Sequence, residues 1–369
     1  MNTTPVSHVG AFLAAAMACL GLAATAWSDA PAQVLTAYVV LPVDQAPTLD
    51  GKLDDPCWRS LPREKTFYKF GTLKAAPAPF STTMQLGYDR AGVYVGLWLD
   101  VEDMSQLVAN ITNRDAGHIW HDDSVELYFD RTATAIGFRK FTVNALGTQA
   151  DLFRMDPANI DMAWSPMGWR VATDIRKNGW GIELFFPWED LGGPAKPGDL
   201  WRFALIRFER HPKFAAGTWS LGAMYTAPER FGWLLFAEDR PEPQRLAKLL
   251  AARVPGNWIL PVGEQVILNG PKAPTVVSTA DFLAKVRQEA AGWLARLRKQ
   301  APEQGNAGEA EAIEQLAQRL NQVPAAAAGA VELQQHLGQL RTIAGDAEER
   351  YYQQRLKDLY RRVREAEQD

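Results

Sequence analysis

The stretch from His118 to Asp130 gathers many of the side chains in this sequence that could do chemistry: His118, Trp120, His121, Asp122, Asp123, Glu126 and Asp130. An indole offers a flat apolar plate, and an ionised carboxylate offers acceptor oxygens only. Together they suit a ligand with an apolar face and a rim of hydroxyl donors. The adjacent Asp122 and Asp123 are oxygen ligands of the kind a hard cation takes, so structural calcium stays open, with no ligand set assigned and no cofactor required. His118 and His121 lack the further matched ligand that a zinc site needs. For covalent catalysis the chain has no Gly-x-Ser-x-Gly, and its two cysteines, Cys19 and Cys57, lie far apart. In the run Ser124 to Asp130, Val125, Leu127 and Phe129 alternate with Glu126, Tyr128 and Asp130. The first set faces a core, which leaves Glu126 on the other face.

Strands must hold these groups. Thr83 to Tyr88, Val93 to Val101, Ser124 to Asp130, Phe138 to Ala145, Trp169 to Arg176, Trp180 to Phe186, Trp201 to Phe208 and Phe231 to Phe236 are short β-rich runs. Turn signals separate them at the spacing of a sandwich or barrel, among them Asp89-Arg90-Ala91-Gly92 and the hairpin pair Asn178-Gly179. The expected architecture is an all-β, antiparallel, jelly-roll-like sandwich over 34–239, followed by an all-α bundle or hairpin over 278–369. Between them, 240–277 reads as a Pro- and Gly-punctuated linker with room for a short helix near Gln244 to Ala252. Ser278-Thr279-Ala280-Asp281 reads as a capping box with Asp in place of Glu. Apolar steps at Leu283, Val286, Ala290, Leu294 and Leu297, then Ile313, Leu316, Leu320 and Val323, then Leu333, Leu337 and Leu340, predict helices. Gly345-Asp346 is expected to interrupt the third, with Tyr352, Leu356, Leu359 and Val363 on a last one. Such stripes need burial, which makes the tail a candidate for protein contacts or dimerisation.

A series of short motifs then falls in one order. Ala46-Pro47-Thr48-Leu49-Asp50-Gly51-Lys52-Leu53-Asp54-Asp55-Pro56-Cys57-Trp58 is followed by Trp120-His121-Asp122-Asp123-Ser124-Val125-Glu126. After these come Phe141-Thr142-Val143-Asn144, Gly179-Trp180-Gly181-Ile182-Glu183, Pro187-Trp188-Glu189-Asp190-Leu191-Gly192, Trp201 to Arg207 and Phe231-Gly232. This series resembles family 9 carbohydrate-binding modules, and it covers the sandwich only. The resemblance implies non-catalytic binding of carbohydrate, with a terminal sugar held between two tryptophans and its hydroxyls read by polar side chains. It makes Trp120 the first plate and Glu126 an acceptor. Trp219, in Gly217-Thr218-Trp219, is the candidate second plate, with Trp164 as a rival. Asn144 and Arg207 sit in motifs that face the same site in the family, and Lys140 is a weaker candidate. A role in capturing or degrading polysaccharide follows as an expectation.

Composition bounds the alternatives. A formal net charge of −4 and the absence of a basic cluster give no footprint for nucleic acid. Of the 13 tryptophans, 11 lie between Trp58 and Trp258; core packing absorbs several, and a sugar-binding protein also needs such flat apolar plates at its surface. The run Ala11 to Ala26, ending in Ala24-Thr25-Ala26, reads as a signal peptide over 1–26, so the protein is expected to be exported, periplasmic or extracellular. No later stretch is long enough for a transmembrane segment. Lipid anchoring at Cys19 is not expected, because the Leu usually found three residues upstream is missing. Cys57 reads as a small buried hydrophobe. A glycosidase needs two carboxyl groups about 5–9 Å apart across a cleft. Glu126 and Glu183, both strand residues, leave such a pair open, but the chain has no catalytic domain of its own and no nucleophile motif, and it is not read as an enzyme. Two other readings stay open. One is an architectural module without ligand. The other is a haem-binding electron-transfer domain drawing on Met104, Met155, Met167 or Met224 with His118, His121 or His211, where no spacing singles out a pair.

Overall fold

The computed structural model describes residues 33–300 and 307–366. The signal segment 1–26 and Cys19 lie outside the described residues. The strands are β1 (Gln33–Val34), β2 (Ala37–Pro42), β3 (Tyr68–Lys69), β4 (Thr82–Tyr88), β5 (Gly92–Asp100), β6 (Ser124–Asp130), β7 (Phe138–Asn144), β8 (Gln149–Arg154) and β9 (Ile160–Asp161). They continue with β10 (Arg170–Arg176), β11 (Gly179–Pro187), β12 (Leu200–Glu209), β13 (Ala215–Thr218), β14 (Gly232–Phe236), β15 (Trp258–Val262), β16 (Gln265–Asn269) and β17 (Thr275–Ser278). Helices are α1 (Pro56–Ser60), α2 (Pro243–Ala251), α3 (Thr279–Gln300), α4 (Ala307–Gln322) and α5 (Ala330–Ala366).

One long curled sheet makes the sandwich, in the order β10-β11-β5-β4-β2-β14-β12-β6-β7-β8-β9, with β13 and β3 continuing from β12. Strand β2 closes it. Its first residues pair in parallel with β14, and Leu41 and Pro42 then pair with β4. A strand that switches partners in this way joins two layers at a corner. Alternation decides what lies between them. Val125, Leu127 and Phe129 meet Trp180, Ile182, Leu184 and Phe186 in one core. The opening motif covers the outer face of β11. Buried Glu183 accepts N–H from Asp50 and Gly51, each at 2.8 Å, and from the Trp58 indole at 2.7 Å. Gly51 has φ +80°, and a Cβ there would lie 2.5 Å from the Asp174 nitrogen, so only glycine fits. Cys57 is buried beside Trp58, and burial pushes its thiol up to about 11.

The stretch 240–277 is more than a bare connector. It holds α2 and the strands β15, β16 and β17, which form a four-stranded sheet with β1. Both faces of that sheet are covered. Trp258, Leu260 and Ile267 pack with Trp233 and Leu235 on the outside of the sandwich, while Ile259 and Val266 pack with the helices. Strands buried on both faces read as continuous apolar runs, and the flanking Pro and Gly hid these two. Ser278 caps α3 as expected: the Asp281 N–H donates to its hydroxyl at 3.0 Å, and that hydroxyl donates to the Asp281 carboxylate at 2.7 Å. Gly345-Asp346 does not interrupt the last helix; α5 runs through it. A glycine costs a helix about 1 kcal/mol, and buried Ile343 and Ala347 on either side outweigh that.

Candidate functional site

Trp120 lies in a single 3-10 turn, Ile119–His121, that leads into β6. Ile119 is buried and pins the turn, while the indole is 43% exposed. Asp122 and Asp123 tie this corner together. Asp122 accepts backbone N–H from Asn110 and Ile111 at 3.0 and 2.8 Å, and the Asn144 amide at 2.8 Å. Asp123 accepts N–H from Val108 at 3.0 Å and from Arg210 at 2.6 Å. Burial pushes the Asp123 carboxyl upward, against those donors. The two carboxylates thus join the 108–111 loop, the end of β7 and the loop after β12. Among the described residues, no group of three His, Cys, Asp or Glu is placed to hold a metal ion.

Glu126 faces outward from β6, between Ile206 on β12 and Thr142 on β7. Its carboxylate pairs with Lys140 at 2.6 Å and accepts the Tyr128 hydroxyl. Burial, then the Glu126 charge, holds that phenol far above its ordinary range. The Lys140 ammonium sits 5.8 Å from the Tyr128 ring and 5.9 Å from the Tyr225 ring. Further out, Arg154 lies over Phe138 and Tyr225 at 5.3 and 5.6 Å. Arg210 lies over Phe214 at 4.9 Å, and Phe214 stacks on Phe208 at 6.1 Å and is 56% exposed. The result is a largely buried acceptor–donor pair on the outer sheet face, beside a small apolar cluster that includes Tyr128, Phe138, Ile206 and Phe231.

Of the residues expected at the site, Trp120 stands in the turn before β6 with its ring 5.8 Å from that of His121, and Glu126 and Lys140 pair across β6 and β7, with Glu126 buried. Trp219 lies elsewhere. Its ring is fully buried in the core, 5.5 Å from Phe203, because β13 pairs with β12 and turns the next residue inward. Trp164 is half-buried against Phe141 and Phe153, at 5.7 and 5.9 Å. Asn144 has no exposed surface and is committed to Asp122, the Ile111 carbonyl and the N–H groups of Leu146 and Thr148. Arg207 points inward beside Val125 and stitches the two layers together. It donates to the carbonyls of Ser81 and Asp100 and to Glu209. Burial brings its guanidinium down to about 10. Neither Asn144 nor Arg207 has surface left for a ligand. The sequence does not single out Tyr128, Tyr225, Arg210 or Phe214. Alternation does put Tyr128 on the face of Glu126, but no spacing signals loop residues 210, 214 and 225. Glu126 and Glu183 stand on opposite layers, facing away from each other, so they form no carboxyl pair across a cleft.

The family model described as Carbohydrate family 9 binding domain-like matches residues 49–235. No curated protein matches significantly. Among solved structures, a family 9 carbohydrate-binding module from Caldicellulosiruptor kristjanssonii in complex with cellotriose is 15% identical, covers 56% of this chain and 97% of its own, and has a TM-score of 0.42. The same organism's module in complex with glucose is 14% identical, covers 56% and 98%, and has a TM-score of 0.42.

Proposed function

Since the chain belongs to the carbohydrate family 9 binding domain-like family, we propose that its sandwich binds carbohydrate at the Trp120–Glu126 corner and does not cut it. One observation carries the reading: an exposed indole stands at the head of the strand that carries Glu126, a buried carboxylate whose partner Lys140 is the more exposed of the two. A pyranose has apolar C–H faces and a hydroxyl rim. The indole takes the face, and Lys140, held by Glu126 at 2.6 Å, donates to a hydroxyl. Phe214, exposed and stacked on Phe208, supplies the second plate in place of Trp219. Aromatic stacking at about 0.5–1.5 kcal/mol per contact and charge-assisted hydrogen bonds at about 1.5–3 kcal/mol, less the cost of association, give affinities in the micromolar to millimolar range. In this reading the protein is exported and captures polysaccharide outside the cytoplasm.

The test is a glycan array followed by calorimetry on the strongest hit, with Trp120→Ala beside the wild type. Loss of the plate is expected to weaken binding about tenfold and leave the unfolding midpoint unchanged. Equal affinity in the two proteins would remove the site, and silence from both across the array would favour a module that has no sugar ligand.

A further inference from the structure

Beyond Tyr351, α5 carries an apolar stripe that stands exposed to solvent; at its start the Tyr352 ring still touches Trp293 of α3, at 6.0 Å. Tyr352, Leu356, Leu359, Tyr360 and Val363 recur at three- and four-residue steps, and each is at least 40% exposed. The stripe is out of phase with the bundle seam. That seam runs through Leu333, Leu337, Leu340, Ala344, Ala347 and Tyr351, and its repeat continues onto Gln354, Asp358 and Arg361. The exposed stripe is therefore a second face, and the seam does not simply fray into it.

Between Tyr352 and Arg364 the charge bordering this face is basic, with Glu349 one turn before it on the same face. At the helical period, Arg355 and Arg362 border one edge and Lys357 and Arg364 border the other, while Asp358 and Glu365 fall on the far side. A second copy packed antiparallel would set Arg355 and Arg362 against the same arginines, and a parallel copy would set Arg355 against Tyr360. Neither arrangement is complementary. A surface of negative headgroups complements both edges at once, because Lys and Arg can reach outward to phosphate while the apolar residues between them sink. No described helix is long and apolar enough to cross a membrane, so such a helix would lie along the surface.

We propose that the 352–364 face of α5 docks onto an anionic lipid bilayer and holds the sandwich close to it. This inference is independent of the sugar reading. The full chain is to be sedimented with phosphatidylglycerol-containing vesicles and with pure phosphatidylcholine vesicles, and its mass measured by light scattering. Binding is expected only to the anionic vesicles, falling as salt rises. The exposed-face variant Leu356→Glu/Leu359→Glu should lose affinity by roughly tenfold or more, and Trp120→Ala should bind vesicles as the wild type does. No binding to anionic vesicles, or equal binding by the stripe variant, overturns the proposal. So does a wild-type dimer that the stripe variant converts to monomer, because a second copy then covers the face.

Discussion

At the scale of single residues, the parity of one strand carried most of what could be read. Val125, Leu127 and Phe129 pointed inward, so Glu126 had to point out, and so it does. Residue type misled where an interior position needed polarity. Arg207 looks like a ligand contact, yet the paired ends of β4 and β5 leave the Ser81 and Asp100 carbonyls within reach of β12, and its buried guanidinium donates to both. Arg207→Met removes those donors and strands Glu209, which should cost about 3–5 kcal/mol in urea unfolding while sugar affinity per folded molecule stays the same. A loss of affinity without loss of stability would return Arg207 to the site. Asp151 gives a pH test. Burial pushes its carboxyl up to about 6, against the Arg114 guanidinium at 2.6 Å, whereas in the unfolded chain it titrates near 3.9. The native state's preference for the neutral acid is fully present below the unfolded value and is lost as pH rises through about 6. Asp151→Asn stays neutral, so between about pH 4 and pH 7 it should lose less stability than the wild type. Parallel unfolding curves at the two pH values would show that Asp151 does not titrate as its burial requires.

At the scale of elements, order was legible and pairing was not. The motif Asp50-Gly51 to Trp58 and the motif Trp180 to Glu183 are separated by more than a hundred residues, and nothing in the sequence says that they meet. They meet because Glu183 is buried and needs donors, which the tight turn at Gly51 and the Trp58 indole provide. Burial pushes the Glu183 carboxyl upward, and the Asp50 and Gly51 amides followed by Trp58 pull it back. Glu183→Ala leaves three donors unmet, at about 1–3 kcal/mol for each buried group. The expected result is a clear fall in the urea midpoint, with the Trp58 environment changed in fluorescence. An unchanged midpoint would mean that the 46–58 segment contributes nothing to the sandwich. The small sheet is hidden in the sequence for a related reason. Trp258-Ile259-Leu260 and Val266-Ile267-Leu268 lack alternation because both of their faces are buried, and short apolar runs beside Pro and Gly look like linker.

At the scale of the whole molecule, that small sheet determines how the halves relate. Ile259 and Val266 belong to the helical core, while Leu260 and Ile267 belong to the core shared with the sandwich. Parallel pairing of β1 with β15 brings the start of the described chain into the same sheet. The side chain of Gln334 on α5 adds a buried hydrogen bond to the Tyr68 hydroxyl at 2.7 Å, and Gln335 donates to the Ala75 carbonyl at 3.1 Å. Two bodies joined through a sheet that each needs for its own core should not melt separately, because losing either one bares an apolar face of β15 and β16 to water. Tryptophan fluorescence reports mainly on the sandwich and far-ultraviolet ellipticity mainly on the helices, and the two transitions are expected to coincide. Ile267→Ala, a truncation at a fully buried position, should cost about 2–5 kcal/mol and move both signals by the same amount. If the helical signal held its midpoint while fluorescence shifted, the sheet would belong to the sandwich alone and the tail would be a separately folding passenger.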